Sequence, residues 1–408
     1  MHRHIARLKR ILHPRAVPAL ARYLLHDEAI SGKLILAATF VALIFANTAL
    51  GSLYESFWHT NLSIGIGDWS LSQSFRDWVN EGLMTFFFLV VGLEIKREIV
   101  KDELSNFQVA ILPVAAAIGG MVVPALLYMS INAGTETFRG WAIPMATDIA
   151  FAVGLLALLG RRVPSALKLF LLTLAMVDDI GAILVIALFY GSGFNIGMFL
   201  LVVAISLAVV VLAKKQRLNM PLFVVAGVGL WLAVNATGLH ASVSGALLGL
   251  LAPLAVSAKT PYKRSLAERL EKFSIPVSTF FVVPLFAFAN TGVILTISGF
   301  EGPALNVAWG IAVGLVIGKV VGIVGASWLM VRFTFALLPD RVSWTQMAGV
   351  GLLAGIGFTV SIFVTELAFS GNNELIDVAK LSIFAASALS GLLGIWLLKL
   401  KTRPSQEA

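Results

Sequence analysis

Apolar residues fill this chain in stretches of about 20, the length a helix needs to cross a bilayer, separated by short polar or Gly/Pro-containing breaks. Twelve such stretches start near Ile30, Val79, Gln108, Trp141, Ala166, Phe194, Met220, His240, Phe273, Ala304, Trp344 and Val378. Each predicts a transmembrane helix. One interval breaks the pattern. Thr60–Phe75, TNLSIGIGDWSLSQSF, alternates polar and apolar residues around a Gly-Asp step, which predicts a β-hairpin at 60–75 on the outer side. An exposed strand edge of this kind is a pairing surface for a homodimer.

Composition agrees with the pattern. Of 408 residues, 58% are hydrophobic and 13% charged, against about 25% charged in soluble domains. A soluble fold would leave too much apolar surface bare, so the chain reads as an all-α polytopic membrane protein, one membrane domain over 1–408. The net charge of +8 does not point to nucleic acid, because the basic residues cluster in short loops. Of 30 Lys and Arg residues, Arg76 and Arg139 alone fall in outside loops, Lys33, Lys319 and Lys380 fall within or at the edges of spans, and the other 25 fall on the cytoplasmic side if both termini are cytoplasmic. That asymmetry is what the positive-inside rule requires. The basic segment 1–29 lacks an apolar core followed by a small-residue cleavage site and reads as a retained cytoplasmic lead-in. With no cysteine, disulfides and thiolate metal sites are excluded.

The charges inside the spans carry the chemistry. Asp178 and Asp179 stand side by side in the middle of the apolar run Leu167–Tyr190, LKLFLLTLAMVDDIGAILVIALFY. An ionised carboxylate at bilayer depth costs about 3 kcal/mol on insertion scales, and this span incurs that cost twice. A site that binds and releases a cation or a proton explains it better than a structural role. The fourth span, WAIPMATDIAFAVGLLALLG, holds Asp148 beside Thr147, with Pro144 before it and Gly154 after it. The eleventh, MAGVGLLAGIGFTVSIFVTEL, has Gly349, Gly351, Gly355 and Gly357 within nine residues. Proline removes a helical hydrogen bond and glycine loosens a turn, so both spans read as interrupted helices. A pair of Gly/Pro-interrupted spans is a pointer to a transport site, weighed against close helix packing alone.

The tenth span, WGIAVGLVIGKVVGIVGASWLM, contains Lys319, too deep to snorkel to the interface. A buried lysine needs a partner, and Asp148, Asp178 and Asp179 are the candidates. Adjacent helical residues diverge by about 100°, so Asp178 and Asp179 cannot both face Lys319. Carboxylates, a hydroxyl and free backbone carbonyls are hard oxygen donors suited to Na⁺ or Li⁺. Burial also favours the protonated form of a carboxylate, so protons and Na⁺ would compete for the same oxygens.

Flanking charges form a second layer. FFLVVGLEIKREIV puts Glu94, Lys96, Arg97 and Glu98 at the cytoplasmic end of the second span, and YKRSLAERLEKFSIP supplies Glu268, Arg269, Glu271 and Lys272. If the two groups meet, they form an ionisable network at a cation entrance; taken separately they are solvated helix ends. Glu81 lies near the outer end of the second span. His240 begins the eighth on the outer side, where histidine titrates near neutrality but is more often a hydrogen-bonding surface residue.

WAIPMATDIAFAVGLLALLG, AMVDDIGAILVIALFY, VPLFAFANTGV, GKVVGI, LLAGIGFTVSIF and GLEIKRE resemble the corresponding stretches of the NhaA Na⁺/H⁺ antiporters of bacterial inner membranes, over about Asp27–Leu398. The resemblance implies the NhaA fold: twelve transmembrane helices, inverted repeats at about 107–190 and 304–398, and fourth and eleventh spans that unwind and cross at mid-membrane. It implies Asp148 and Asp179 as principal cation ligands with Thr147 assisting, and Asp178 paired with Lys319 and taking part in proton exchange. It also implies a pH-regulatory role for Glu94, Arg97, Glu98 and Glu271, electrogenic exchange of more than one proton per Na⁺, and a homodimer formed through the hairpin. Val320 follows the lysine where such proteins carry proline, and Lys272 and Ile275 stand where some relatives carry histidine.

The function expected is a secondary active Na⁺(Li⁺)/H⁺ antiporter, not an enzyme, that extrudes Na⁺ without a cofactor. Its partners are Na⁺, Li⁺, H⁺, the bilayer and a second copy of the chain, with no nucleic acid. A channel would more naturally use a filter built by several short subunits. An intramembrane aspartyl protease would need a shared carboxylate dyad and a GxGD pattern that VDDIG does not match. An organic-acid symporter would need more hydrogen-bonding side chains in the core spans than the sequence offers.

Overall fold

The computed structural model describes residues 28–66, 69–100, 107–160, 163–191, 193–254, 265–295, 300–334 and 336–401. Most of the basic lead-in expected at 1–29 lies outside the described residues. Among the described residues, eight helical stretches are long and apolar enough to cross a membrane: Ala110–Ile131, Glu136–Ala157, Ser165–Phe189, Ile196–Lys214, Met220–Thr237, Leu266–Asn290, Gly302–Phe333 and Asn373–Leu400. Two more qualify only as bent pairs, Ile30–Ala46 with Gly51–His59 at 111° and Trp344–Ala354 with Phe358–Ala368 at 48°. With each pair taken as one span, ten of the twelve expected stretches meet the length and composition required.

The two others take different forms, for physical reasons. The stretch expected from Val79 begins with a wide π turn at Trp78–Leu83 and continues as Met84–Val100, whose last turns carry Glu94, Lys96, Arg97 and Glu98. At 17 residues the regular helix is itself shorter than a full crossing, and its last turns are charged. The stretch expected from His240 contains only Val243–Leu251 as helix, and nine residues at about 1.5 Å each span roughly half a hydrocarbon core. This short helix lies against Met84–Val100 through Gly92, Gly245 and Gly249, which let the backbones touch.

Three further observations define the architecture. Asn61–Ile66 (β1) and Trp69–Ser74 (β2) form an antiparallel hairpin, in register from Asn61 opposite Ser74 to Ile66 opposite Trp69. The strands coincide with the predicted alternation, and Trp78 Nε1 ties β1 to the following helix by donating to Leu62 O at 3.1 Å. Second, burial grades the helices. In an 18-residue apolar stretch of Glu136–Ala157, 72% of the residues are buried, and in one of Ser165–Phe189 61%, against 11% for Ile196–Lys214. The first two are central and the last is peripheral, where an all-round apolar helix faces lipid.

Third, Phe107–Ile131 and Gly302–Phe333 cross in intimate contact, with residues 119, 124 and 128 meeting 322, 318 and 310 in turn. Numbers rise along one helix as they fall along the other, so the two run antiparallel. Each is followed by an interrupted span and then a long helix, Ser165–Phe189 or Asn373–Lys401. The contact depends on glycine. A Cβ on Gly119 would sit 2.3 Å from Gly322 O, and one on Gly322 2.1 Å from Gly119 O. A side chain at either position must push two backbones apart, at about 3 kcal/mol or more. We expect Gly119→Val to lower the thermal midpoint of the detergent-purified protein by at least about 5 °C, as followed by fluorescence-detected size exclusion. An unchanged midpoint would mean that these helices do not meet at Gly119 and Gly322.

Candidate functional site

Both glycine- and proline-marked spans are interrupted, as the sequence predicts. Glu136–Met145 is a tight 3₁₀ helix containing Pro144. Ala146 and Asp148 are extended, at ψ 149° and 101°, and the helix resumes at Ile149 with Asp148 as its N-cap. In the second span Trp344–Ala354 stops at Gly355, and Phe358–Ala368 begins after Gly357. A Cβ on Gly355 would fall 2.2 Å from Leu315 O and 2.4 Å from Ser390 Oγ, so the break fits only where the residue has no side chain.

The two breaks cross and satisfy one another. Asp148 N–H donates to Ile356 O at 2.7 Å, Thr147 Oγ1 to Ala354 O at 2.8 Å and Ser361 Oγ to Ile143 O at 2.7 Å. Backbone groups freed by unwinding would be costly in a bilayer unless protein groups take them up. Asp148 lies between two helix N-termini. Its Oδ1 accepts from Phe151 N–H at 3.2 Å, and its Oδ2 accepts from Thr359 N–H at 3.1 Å and Thr359 Oγ1 at 2.5 Å. The positive ends of both helix dipoles offset its charge.

The Ser165–Phe189 helix brings the other two acids to the crossing and points them apart. Asp178 Oδ2 accepts from Lys319 Nζ at 2.5 Å and from Thr147 Oγ1 at 2.7 Å. Lys319 is fully buried. The question left open by helical divergence is thus resolved: Asp178 is the partner of Lys319. Asp179, also buried, makes no hydrogen bond or ion pair with any described residue. It faces a cavity of about 300 Å³ whose walls include Asp148, Thr147, Glu94, Ser278 and Thr359. Lys319 opens the helix Lys319–Phe333 directly after a π turn at Gly314–Gly318, and Val320 continues that helix without a break.

The surrounding charges partly regroup. Glu94, grouped in sequence with the helix end, lines the same cavity as Asp148 and Asp179. Arg97 Nη1 lies 3.5 Å from Glu271 Oε2, so the two flanking clusters do meet, with Glu98 and Glu271 buried beside them. Lys96 instead donates to Leu250 O at 2.7 Å. Glu81 is bound into the hairpin end, accepting from Gln73 Nε2 at 2.7 Å and Asn235 Nδ2 at 3.2 Å. His240 departs from the expected hydrogen-bonding surface residue: its ring packs edge-on against Phe363, and Nδ1 is buried with no partner among the described residues. The residue as a whole is half-buried. Thr359, which sequence reasoning missed, bonds directly to Asp148. A hydroxyl immediately after the glycine break of LLAGIGFTVSIF was the available signal.

Buried carboxylates lie where two interrupted helices cross, in a chain whose apolar helices are those of a multi-pass membrane protein. Comparison with known proteins agrees. Residues 22–398 match the family described as Na⁺/H⁺ antiporter 1. The chain is 43% identical over 375 residues to "Na(+)/H(+) antiporter NhaA 1" of Clostridium beijerinckii, covering 92% of this chain and 93% of that protein. It is 42% identical over 430 residues to "Na(+)/H(+) antiporter NhaA" of Janthinobacterium sp., covering 94% and 93%, and 42% identical over 372 residues to "Na(+)/H(+) antiporter NhaA" of Pelagibacter ubique, covering 91% and 95%. The chain belongs to the NhaA family of Na⁺/H⁺ antiporters.

Removing Lys319 would leave Asp178 buried and uncompensated, a loss of about 3–5 kcal/mol. Lys319→Ala should therefore lower the thermal midpoint, and adding Asp178→Asn to it should restore part of the loss. A double variant no more stable than Lys319→Ala would show that the two side chains are not energetically coupled.

Proposed function

We propose that this protein is a Na⁺(Li⁺)/H⁺ antiporter that extrudes Na⁺ from the cytoplasm in exchange for protons. The observation that carries this reading is Asp179, a buried carboxylate with no bond to any described residue, facing a cavity shared with Asp148. Asp179 and Asp148 are the principal cation ligands. Thr147 contributes from the cavity wall, although its hydroxyl proton is held by Asp178 and Ala354. A low-dielectric cavity favours the protonated form of a carboxylate, so Na⁺ and protons compete for the same oxygens. Alternating access then converts that competition into exchange. Asp178 and Lys319 form the second proton-handling pair. Exchange of more than one proton per Na⁺ makes transport electrogenic.

The remaining features fit one scheme. Twelve spans, including the charged second and the short eighth, place both termini in the cytoplasm of a bacterial inner membrane. The segments 107–190 and 304–398 act as inverted repeats, a reading favoured by the antiparallel approach of their first helices. Glu94, Arg97, Glu98 and Glu271 regulate activity with pH, Glu94 from within the cavity and the others at its cytoplasmic mouth. Two copies pair through the 60–75 hairpin. No cofactor is required.

The test is the transmembrane pH gradient in everted vesicles of an antiporter-deficient host, followed by dequenching of a pH dye. Na⁺ and Li⁺, but not K⁺, should collapse the gradient. Asp179→Asn and Asp148→Asn should each reduce the response at least about 100-fold while the protein still inserts, since each removes a charge made available to the ion. Wild-type exchange in both variants would remove these residues from the site. No cation response by the unaltered protein at any pH would overturn the antiporter reading.

A further inference from the structure

The hydroxyl of Thr359 has no part in the assignments above, yet it lies closer to Asp148 than any other side-chain donor. Thr359 is the second residue of Phe358–Ala368, is 5% exposed and lines the cavity that holds Asp148 and Asp179. Its Oγ1 donates to Asp148 Oδ2 at 2.5 Å, and its backbone N–H donates to the same oxygen at 3.1 Å. A threonine hydroxyl has one proton and two lone pairs. Here the proton is committed to Asp148, and no donor among the described residues takes the lone pairs. Thr147, the other hydroxyl beside the acids, is differently placed. Its proton is divided between Asp178 Oδ2 and Ala354 O, so it steadies the carboxylate that pairs with Lys319.

The two threonines therefore serve different acids. Hard monovalent cations prefer several oxygen ligands, and two carboxylates supply too few to replace a hydration shell. We infer that Thr359 is a residue of the cation site: its proton fixes the rotamer of the Asp148 carboxylate, and its oxygen faces the ion as a neutral ligand. The second interrupted span then contributes to the ion directly, and the crossing of the two breaks joins one half of the ligand set to the other. This inference rests on the assignment of Asp148 and Asp179 as the Na⁺ site.

The experiment measures binding of radioactive Na⁺ to purified protein and, in proteoliposomes, the apparent KM for Na⁺ and the maximal exchange rate. Thr359→Val keeps the shape and removes the hydroxyl; Thr359→Ser keeps the hydroxyl and removes the methyl. We expect the valine variant to bind Na⁺ about 10- to 100-fold more weakly, as for loss of a hydrogen bond to a charged group, with its maximal rate at saturating Na⁺ within about twofold of wild type. The serine variant should stay within about threefold of wild type on both measures. Should the valine variant fail to reach the membrane, Thr359→Ala, which needs less space, is expected to show the same weakening. Wild-type affinity in whichever hydroxyl-free variant folds, or an equal loss in the serine variant, would overturn the inference and leave the Asp148–Asp179 site standing. Absence of Na⁺ binding by the unaltered protein would overturn both.

Discussion

A backbone amide or carbonyl in hydrocarbon must find a protein partner, because no water is there to take it. This chain interrupts two of its buried, apolar spans. It can do so because the break at 146–148 and the break at 355–357 cross and bond to each other, through Asp148 N–H to Ile356 O and Thr147 Oγ1 to Ala354 O. Neither break could stand alone. Glycine at 355 lets Leu315 and Ser390 close in on the second break, and the first break lies in the most buried of the apolar stretches, Glu136–Ala157. The unwound backbone exposes helix N-termini to one point, and Asp148 occupies that point.

Charge at the crossing is handled in two ways. Asp178 is neutralised by Lys319 and steadied by Thr147. It is a closed arrangement, and a buried pair of this kind serves specificity and coupling more than stability. Asp179, one residue further along the same helix, is left open to the cavity. The divergence of about 100° between neighbours on a helix is what sends one acid to a lysine and the other to a space an ion can enter. Asp148 stands between these extremes, held by amide dipoles and a hydroxyl but by no full positive charge.

Away from the crossing, the fold keeps these parts in place by close helix contact rather than by a hydrophobic drive, since lipid tails are as apolar as leucine. Gly119 and Gly322 bring Phe107–Ile131 and the Lys319 helix into backbone contact, which fixes the height of Lys319 against Asp178. The short helix Val243–Leu251 lies on Met84–Val100 through the same device. It thereby lines up the helix that carries Glu94 into the cavity.

Much of this was legible in the sequence, and the reasons are local. Hydrocarbon thickness sets the period of the apolar runs, so stretches of membrane length could be marked, and ten of the twelve expected meet that length and composition among the described residues. Strict alternation around Gly67–Asp68 gave the hairpin. Pro144 and the glycines at 349–357 marked the broken helices, and uncompensated charge in apolar runs marked Asp148, Asp178, Asp179 and Lys319. Tertiary structure decided the pairings. Which aspartate meets Lys319, that Thr147 turns to Asp178 while Thr359 turns to Asp148, that Glu94 joins the cavity and that the His240 ring packs against Phe363 all depend on how helices far apart in sequence approach and rotate. Spacing along a chain fixes which residues share a helix face, but the rotation of one helix against another is set by side-chain and backbone contacts between them, and no local pattern encodes that angle.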